Sequence, residues 1–181
     1  MTLRTACSAA GLAVHLACQG IRAGDCDSAL VAGANLILSP GFTRLMAEQG
    51  VLSTDASCKT FDAEANGYAR ADAASCLFIK RLDHAIRDGN PVRAIIRGSA
   101  TNSDGKKAGL TTPSPQAQEQ VIRAAYTRAG IDDADICKTA FVECHGTGTA
   151  VGDMVEGCSV GAVFGQRGIH IGSVSSEGQV C

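Results

Sequence analysis

The feature that most constrains the fold is the run of residues 29–38, which is apolar on both of its alternating faces. A strand of this kind lies in a sheet that helices cover on both sides. Short apolar runs alternate with helical patterns along the chain, and aromatic residues account for only 4%. The sequence therefore predicts an α/β fold of stacked layers, not a helical bundle or a β-sandwich.

Two helices are marked by the residues at their ends. Apolar residues recur at helical spacing over residues 8–22, and Gly24 stands where such a helix would stop. Ser114 is the expected N-cap of a second helix, because Pro115 fits its first position and Gly130 follows its last turn. Both helices are therefore placed by local signals.

The remaining elements have weaker signals. Residues 39–72 are rich in Gly, Asp, Ser and Asn without sustained periodicity, which indicates a long irregular excursion of the kind that often carries function. Further strands are expected at residues 73–79, 92–96, 139–142 and 169–174, and a helix around residues 155–163.

Composition argues against two classes of partner. The formal net charge is -2 and the sixteen Lys and Arg residues are scattered, so nucleic acid is not an expected partner. The apolar stretches are far shorter than the about 20 residues that span a bilayer, and Arg4 interrupts any signal-like run. We therefore expect an intracellular, cytoplasmic protein without membrane contact.

One cysteine stands apart from the rest. The nine cysteines contain no C-x-x-C pair, so no structural metal site is expected, and most lie among Ala, Val and Leu as small hydrophobes. Cys7 lies instead in Thr-Ala-Cys-Ser-Ala-Ala, at the mouth of the first predicted helix. The helix dipole and unpaired N–H groups favour a thiolate there. From these residues alone, Cys7 is either a nucleophile with room for an acyl group or a buried structural cysteine.

A second motif, Glu-Cys-His-Gly-Thr-Gly-Thr at residues 143–149, follows a predicted strand. Its glycines allow close approach of a substrate, and the hydroxyls of Thr147 and Thr149 can donate hydrogen bonds. His145 alone is equally well interpreted as a turn histidine with satisfied hydrogen bonds. Together with Cys7 it makes a candidate Cys–His site.

These motifs, in this order, resemble the signatures of the β-ketoacyl synthase (ketosynthase) domains of type I polyketide synthases. The resemblance runs in register from residue 1 to about residue 176. Residues 5–10 resemble T-A-C-S-S-S, residues 61–70 resemble F-D-x-x-A-x-G-Y-x-R, residues 97–105 resemble R-G-x-x-x-N-x-D-G, residues 116–130 resemble the helix that follows, and residues 145–153 resemble H-G-T-G-T-x-x-G-D.

The resemblance implies a thiolase-like fold, in which two similar halves pack as a layered α/β/α/β/α sandwich and the enzyme is usually a homodimer. Residues 1–91 would belong to the second part of the N-terminal half and would carry the nucleophile. Residues 92–181 would belong to the first part of the C-terminal half and would carry the histidine motif.

The resemblance also implies a reaction, a decarboxylative Claisen condensation. Cys7 would take the growing acyl chain as a thioester, and His145 would stabilise the enolate formed when malonyl on an acyl carrier protein loses CO₂. Thr147 and Thr149 match positions that contact the 4'-phosphopantetheine arm of the carrier. By this resemblance the domain itself binds no cofactor and no metal.

The sequence departs from the family pattern near both ends. Ser175 stands where the family has a lysine, Glu177 where it has an asparagine, and Val180 where it has a second histidine; Arg4 replaces the usual aspartate. We therefore expect an incomplete ketosynthase domain that does not condense substrates as an isolated chain. Two alternatives stay open, a degenerate non-catalytic homologue that acts as a partner and a Cys–His thioester hydrolase.

Overall fold

The computed structural model describes residues 1–107, 109, 112–165 and 168–174. In this part of the chain the elements are, in order, α1 (Ala9–Ala23), β1 (Ser28–Asn35), α2 (Pro40–Glu48), β2 (Ala73–Lys80), α3 (Leu82–Arg87), α4 (Pro115–Arg128), α5 (Asp133–Ile136), β3 (Phe141–Glu143), α6 (Ala150–Phe164) and β4 (His170–Gly172).

The chain divides into two compact units, and each unit is made of two stretches. Met1–Leu36 and Ala71–Thr101 form the first unit, which holds α1, β1, β2 and α3. Ile37–Arg70 and the described part of Asn102–Cys181 form the second unit, with the other elements. The stretch between β1 and β2 therefore belongs to a different unit from the two strands that it joins.

α1 confirms the first predicted helix and ends where its sequence predicts. Gly24 has a φ of 82°, and its N–H donates to the carbonyl of Ile21 at 3.3 Å. Glycine adopts this left-handed cap without strain. His15, Cys18 and Ile21 are buried at intervals of three residues, so one face of the helix packs within the first unit.

β1 and β2 form a two-stranded antiparallel sheet. Ser28 lies opposite Lys80 at one end of the ladder, and Asn35 lies opposite Ala73 at the other. β2 confirms the strand expected at residues 73–79. β1 confirms a strand in the apolar run, although it ends three residues earlier than expected.

The burial of β1 on both faces, expected from its apolar sequence, is wrong in the described structure. α1 packs against one face, where Val31 is 7% exposed, but Leu30 and its cross-strand neighbour Phe78 on the other face are 74% and 61% exposed. A single helix layer covers only one face of a sheet, which accounts for the difference. We call the uncovered side the open sheet face; its residues are Leu30, Ala32, Ala34, Ala74, Cys76 and Phe78.

The strand expected at residues 92–96 is also wrong, since these residues belong to no helix or strand. A strand requires a ladder to a neighbour, and none of the described strands pairs with this stretch. The residues that follow are held by side chains of α1 instead. Arg22 Nη2 donates to the carbonyl of Arg97 at 2.8 Å, and His15 Nδ1 lies 2.9 Å from Ser99 Oγ.

α2 lies within the stretch expected to be irregular, so that expectation is wrong for Pro40–Glu48. Ser39 stands at the N-cap position and a proline follows it, which is the same start signal as in α4. Arg70, at the end of the stretch Ile37–Arg70, contacts two residues of this helix. Its Nη1 donates to Thr43 Oγ1 at 3.1 Å, and its guanidinium carbon lies 4.8 Å from the centroid of the Phe42 ring.

In the second unit the remaining predicted elements are confirmed. Ser114 Oγ accepts the N–H of Ala117 at 3.2 Å and caps α4. α6 includes the helix expected at residues 155–163 and extends it at both ends. The two expected strands are present in shorter form as β3 and β4, which pair in parallel with Phe141 opposite His170.

The core of this unit lies beside β3. Ile136, Cys144, Val160 and Phe164 are buried together, and the ring of Tyr126 meets that of Phe164 edge-on at 5.8 Å. Because Cys144 directly follows β3, the chain leaves the core at residue 145.

Three of the departures from the family pattern, Ser175, Glu177 and Val180, lie outside the described residues. Within the described part of the chain, no helix combines the length and the hydropathy that a membrane crossing requires.

Candidate active site

Cys7 lies in the first unit, on a tight turn that leads into α1. Ala6 has a φ of 54°, in the left-handed region that costs a residue with a side chain roughly 1–2 kcal/mol. Ser8 closes the turn by donating from its Oγ to the carbonyl of Thr5 at 2.7 Å, and the N–H of Ala9 donates to the carbonyl of Ala6 at 3.1 Å. The turn leaves Cys7 exposed immediately before the helix N-terminus.

This placement suits a nucleophile better than a core residue. The alternative of a buried structural cysteine does not apply to the described structure, because Cys7 is exposed. The positive end of a helix dipole stabilises an anion in front of it. Residues held at positive φ are also often found at functional sites.

His145, Thr147 and Thr149 lie together in the second unit, on the segment between β3 and α6. We call residues 145–149 the His145 turn. The side chain of His145 is exposed, as expected for a histidine at the end of a strand. Gly146 and Gly148 are buried and have φ values of 51° and 68°. The glycine pattern therefore reflects a left-handed backbone at two positions.

Two acidic residues of α6 hold the N–H groups of the His145 turn. The carboxylate of Glu156 accepts the N–H of His145 at 2.6 Å and the N–H of Gly146 at 2.9 Å. Asp153, which is 6% exposed, accepts the N–H of Gly148 at 3.0 Å. Charge-assisted bonds of this kind are stronger than those between neutral groups. The first turns of α6 therefore fix the backbone that carries His145.

A second support comes from residues 59–67, in the stretch expected to be an irregular functional excursion. The hydroxyl of Thr60 donates to the carbonyl of Gly146 at 2.6 Å, and the N–H of Gly67 donates to the carbonyl of Gly148 at 2.8 Å. Asp153 joins the two supports, because it also accepts the N–H of Phe61 at 2.7 Å. Neither Thr60 nor Glu156 stands out in the sequence as a site residue. One sequence feature could have indicated Glu156: it lies three residues after Asp153, so the two carboxylates follow the glycine-rich turn as a pair.

Thr147 and Thr149 share a hydrogen bond, with their Oγ1 atoms 2.9 Å apart. Thr149 is the N-cap of α6, because its Oγ1 accepts the N–H of Gly152 at 3.2 Å. When Thr149 donates its own proton to Thr147, the hydroxyl proton of Thr147 is available to a ligand.

Cys144, next to His145 in sequence, is buried, whereas Cys7 is exposed. Burial, together with the nearby carboxylates of Glu156, Glu143 and Asp153, raises the pKa of the Cys144 thiol to about 11. The thiol is therefore protonated at neutral pH and serves as core packing. No three His, Cys, Asp or Glu side chains in the described ranges are arranged to hold a metal ion.

The two bonds of Asp153 lead to a stability prediction. Asp153→Ala is expected to lower the free energy of unfolding by about 3 kcal/mol, because each buried N–H left without an acceptor costs about 1–3 kcal/mol. The matched control is Asp133→Ala, since the Asp133 side chain is 87% exposed, and its effect should stay within about 0.5 kcal/mol. Chemical denaturation of both variants checks this; equal effects would show that the Asp153 bonds are not stabilising.

Residues 1–85 match the family model "Beta-ketoacyl synthase, N-terminal domain", and residues 93–178 match "Beta-ketoacyl synthase, C-terminal domain". The chain is 60% identical over 174 residues to a highly reducing polyketide synthase of a Fusarium species and 56% identical over 174 residues to one of Aspergillus fumigatus. Each match covers 96% of the chain but only 7% of the longer protein.

Solved structures of ketosynthase domains are similar to this chain. An oxazolomycin ketosynthase domain of Streptomyces albus has a TM-score of 0.91 at 37% identity, over 97% of this chain and 31% of that one. The ketosynthase from module 6 of the bacillaene synthase of Bacillus subtilis has a TM-score of 0.88 at 39% identity, over 94% of this chain and 31% of that one. The expected α/β, partial thiolase-like fold is thereby confirmed. The chain belongs to the β-ketoacyl synthase family and is similar to part of the ketosynthase domain of polyketide synthases.

Proposed function

We propose that this chain supplies the acyl-accepting part of a ketosynthase that extends polyketide chains by decarboxylative Claisen condensation. The observation that carries the proposal is the exposed Cys7 on a strained turn before α1, in a chain that matches both β-ketoacyl synthase domain models. In this proposal residues 1–91 contribute the nucleophile and residues 92–181 the histidine motif. The intact enzyme acts as a homodimer.

The first step is the transfer of an acyl group. The Cys7 thiolate attacks the carbonyl carbon of an acyl thioester on the carrier protein and forms a new C–S bond. The C–S bond to the 4'-phosphopantetheine arm breaks, and the arm leaves as a thiolate that takes up a proton. Such covalent catalysis divides one difficult reaction into two easier ones.

The second step forms the carbon–carbon bond. Malonyl on the carrier loses CO₂, and the resulting enolate carbon attacks the acyl carbonyl on Cys7, which releases the Cys7 thiolate and leaves a β-ketoacyl chain on the carrier. His145 donates a hydrogen bond to the enolate oxygen. A donor that is held in place before the charge develops is the most effective kind, and the bonds from Glu156 to the backbone of residues 145 and 146 hold it.

The partner is an acyl carrier protein with its acyl and malonyl thioesters. Thr147 and Thr149 contact the phosphopantetheine arm, and when Thr149 donates to Thr147 the hydroxyl proton of Thr147 is available to the arm. Neither alternative interpretation is favoured, because the similar proteins described above are polyketide synthases and ketosynthase domains.

The proposal predicts selective acylation of Cys7. When the chain is incubated with an acyl-pantetheine thioester near neutral pH, peptide mapping by mass spectrometry should find the acyl group on Cys7, and prior treatment with iodoacetamide should block it. Cys76 and Cys137 are also exposed but should react less, and the buried Cys144 should not react. Equal labelling of Cys7, Cys76 and Cys137 would show that Cys7 is not the nucleophile.

A further inference from the structure

Gly146 is the point of the His145 turn at which two different segments hold adjacent peptide groups. The carboxylate of Glu156 accepts the N–H of Gly146 at 2.9 Å, which fixes the peptide group between residues 145 and 146. The hydroxyl of Thr60 donates to the carbonyl of Gly146 at 2.6 Å, which fixes the next peptide group, between residues 146 and 147. Glycine has the widest choice of backbone angles of any residue. Each of these peptide groups therefore needs its own restraint.

The contact between Thr60 and Gly146 is close as well as polar. A Cβ atom built on Gly146 would lie 2.5 Å from Cγ2 of Thr60 and would also overlap Ser173. The Thr60 methyl group thus occupies the space beside Gly146 that a side chain would fill, while its hydroxyl reaches the carbonyl. The neighbouring Phe61 N–H is bound by the buried Asp153, so the backbone that carries Thr60 is itself fixed.

The two restraints act on different side chains. Glu156 holds the N–H groups of both His145 and Gly146, and therefore orients His145. The peptide group held by Thr60 leads directly to Thr147. If its carbonyl rotated away, the start of Thr147 would turn with it, and the 2.9 Å hydrogen bond between Thr147 and Thr149 would be disturbed.

We propose that Thr60 is a positioning residue for Thr147: its hydroxyl locks the peptide group between Gly146 and Thr147 and so aims the Thr147 hydroxyl at the thioester arm of the substrate. The inference rests on the proposed function for its substrate. Its structural part, the locking of one peptide group, is independent of the chemistry at Cys7.

Two variants separate the hydroxyl from the methyl group. Thr60→Val keeps the shape and removes the donor, whereas Thr60→Ser keeps the donor and removes the methyl group. The matched control is Thr127→Val, because the Thr127 hydroxyl also donates to a backbone carbonyl, that of Arg123 at 3.0 Å, but on the exposed surface of α4. All three changes can be made in the 181-residue chain.

The first measurement is amide hydrogen exchange. In Thr60→Val, the amides of residues 146–148 should exchange about three- to tenfold faster, as expected for the loss of one hydrogen bond, while those of α4 stay unchanged. Thr60→Ser and Thr127→Val should exchange as the unmodified chain does in the His145 turn. Unchanged exchange in Thr60→Val, or faster exchange spread equally over α4, would overturn the proposal.

The second measurement is the concentration dependence of Cys7 acylation by acyl-pantetheine. The half-saturating concentration should rise about three- to tenfold in Thr60→Val and be restored in Thr60→Ser, with the maximal rate unchanged. An equal fall in the maximal rate in both variants would also overturn the proposal. Absence of acylation in the unmodified chain would contradict the proposed function, whereas the exchange result would still decide whether Thr60 locks the turn.

Discussion

Given acyl and malonyl thioesters of a carrier protein, the 181-residue chain is expected to be acylated on Cys7 and to yield no β-ketoacyl product. By the family pattern, Ser175 and Val180 stand where a lysine and a second histidine of the catalytic set are expected. Loss of one positioned donor lowers a rate by about 10²–10³. Loss of both should therefore lower condensation by about 10⁴ or more, below detection.

The measurement is mass spectrometry of the carrier-bound thioesters, together with the mass of the chain itself. Cys7→Ala is the control for acylation, since it removes the thiol and nothing larger. A related intact ketosynthase domain shows that the substrates are competent. If the 181-residue chain forms β-ketoacyl thioester at a rate above that of Cys7→Ala, the single histidine of the His145 turn is sufficient and the prediction is wrong.

The open sheet face is expected to drive self-association of the isolated chain. Leu30 and Phe78 lie opposite each other there, 74% and 61% exposed, and burying a side chain of this size contributes about 1.5–3 kcal/mol. Replacing both by lysine should raise the concentration needed for association by about a hundredfold or more, because each 1.4 kcal/mol is about a factor of ten. Sedimentation velocity and binding of an apolar dye check this result.

Ile86→Lys is the matched control for the open sheet face. Ile86 is 67% exposed in α3 and does not belong to the open sheet face, so this variant adds one positive charge, where the double variant adds two, on a different surface. If Ile86→Lys lowers association as much as the double variant does, charge alone is responsible. A monomeric unmodified chain that melts in one sharp transition would contradict the role of this face altogether.

The sequence predicted those elements whose signals are local. Ser114 and Gly130 bound α4 to within two residues because an N-cap and a terminating glycine act within one turn of the helix. Ser39 starts α2 with the same kind of signal, but α2 is only nine residues long and lies in a stretch rich in Gly, Asp, Ser and Asn. The helix was therefore missed in its Gly- and Asp-rich surroundings.

In the candidate site, too, the local feature was predicted and the long-range contacts were not. The structure gives Gly146 and Gly148 a left-handed backbone; the turn itself was predicted, because a glycine-rich sequence follows an apolar run. Its supports were not, because Thr60 reaches Gly146 across 86 positions of the chain and only the folded backbone brings them together. The strand expected at residues 92–96 was wrong for a related reason: an apolar run does not contain the partner that a ladder requires.

The interleaving of the two units has a consequence for anyone who recombines polyketide synthases. The chain leaves one unit and enters the other after Leu36, again after Arg70 and again after Thr101. A single crossover between two parents at any point from 68 to 144 would take residues 59–67 from one parent and the His145 turn from the other. The Thr60 and Gly67 bonds to that turn would then join backbones from two different parents. Chimeras that keep residues 37–70 and 102–174 from one parent should retain the turn. Such chimeras need several crossovers, because the second unit consists of two separate stretches of the chain.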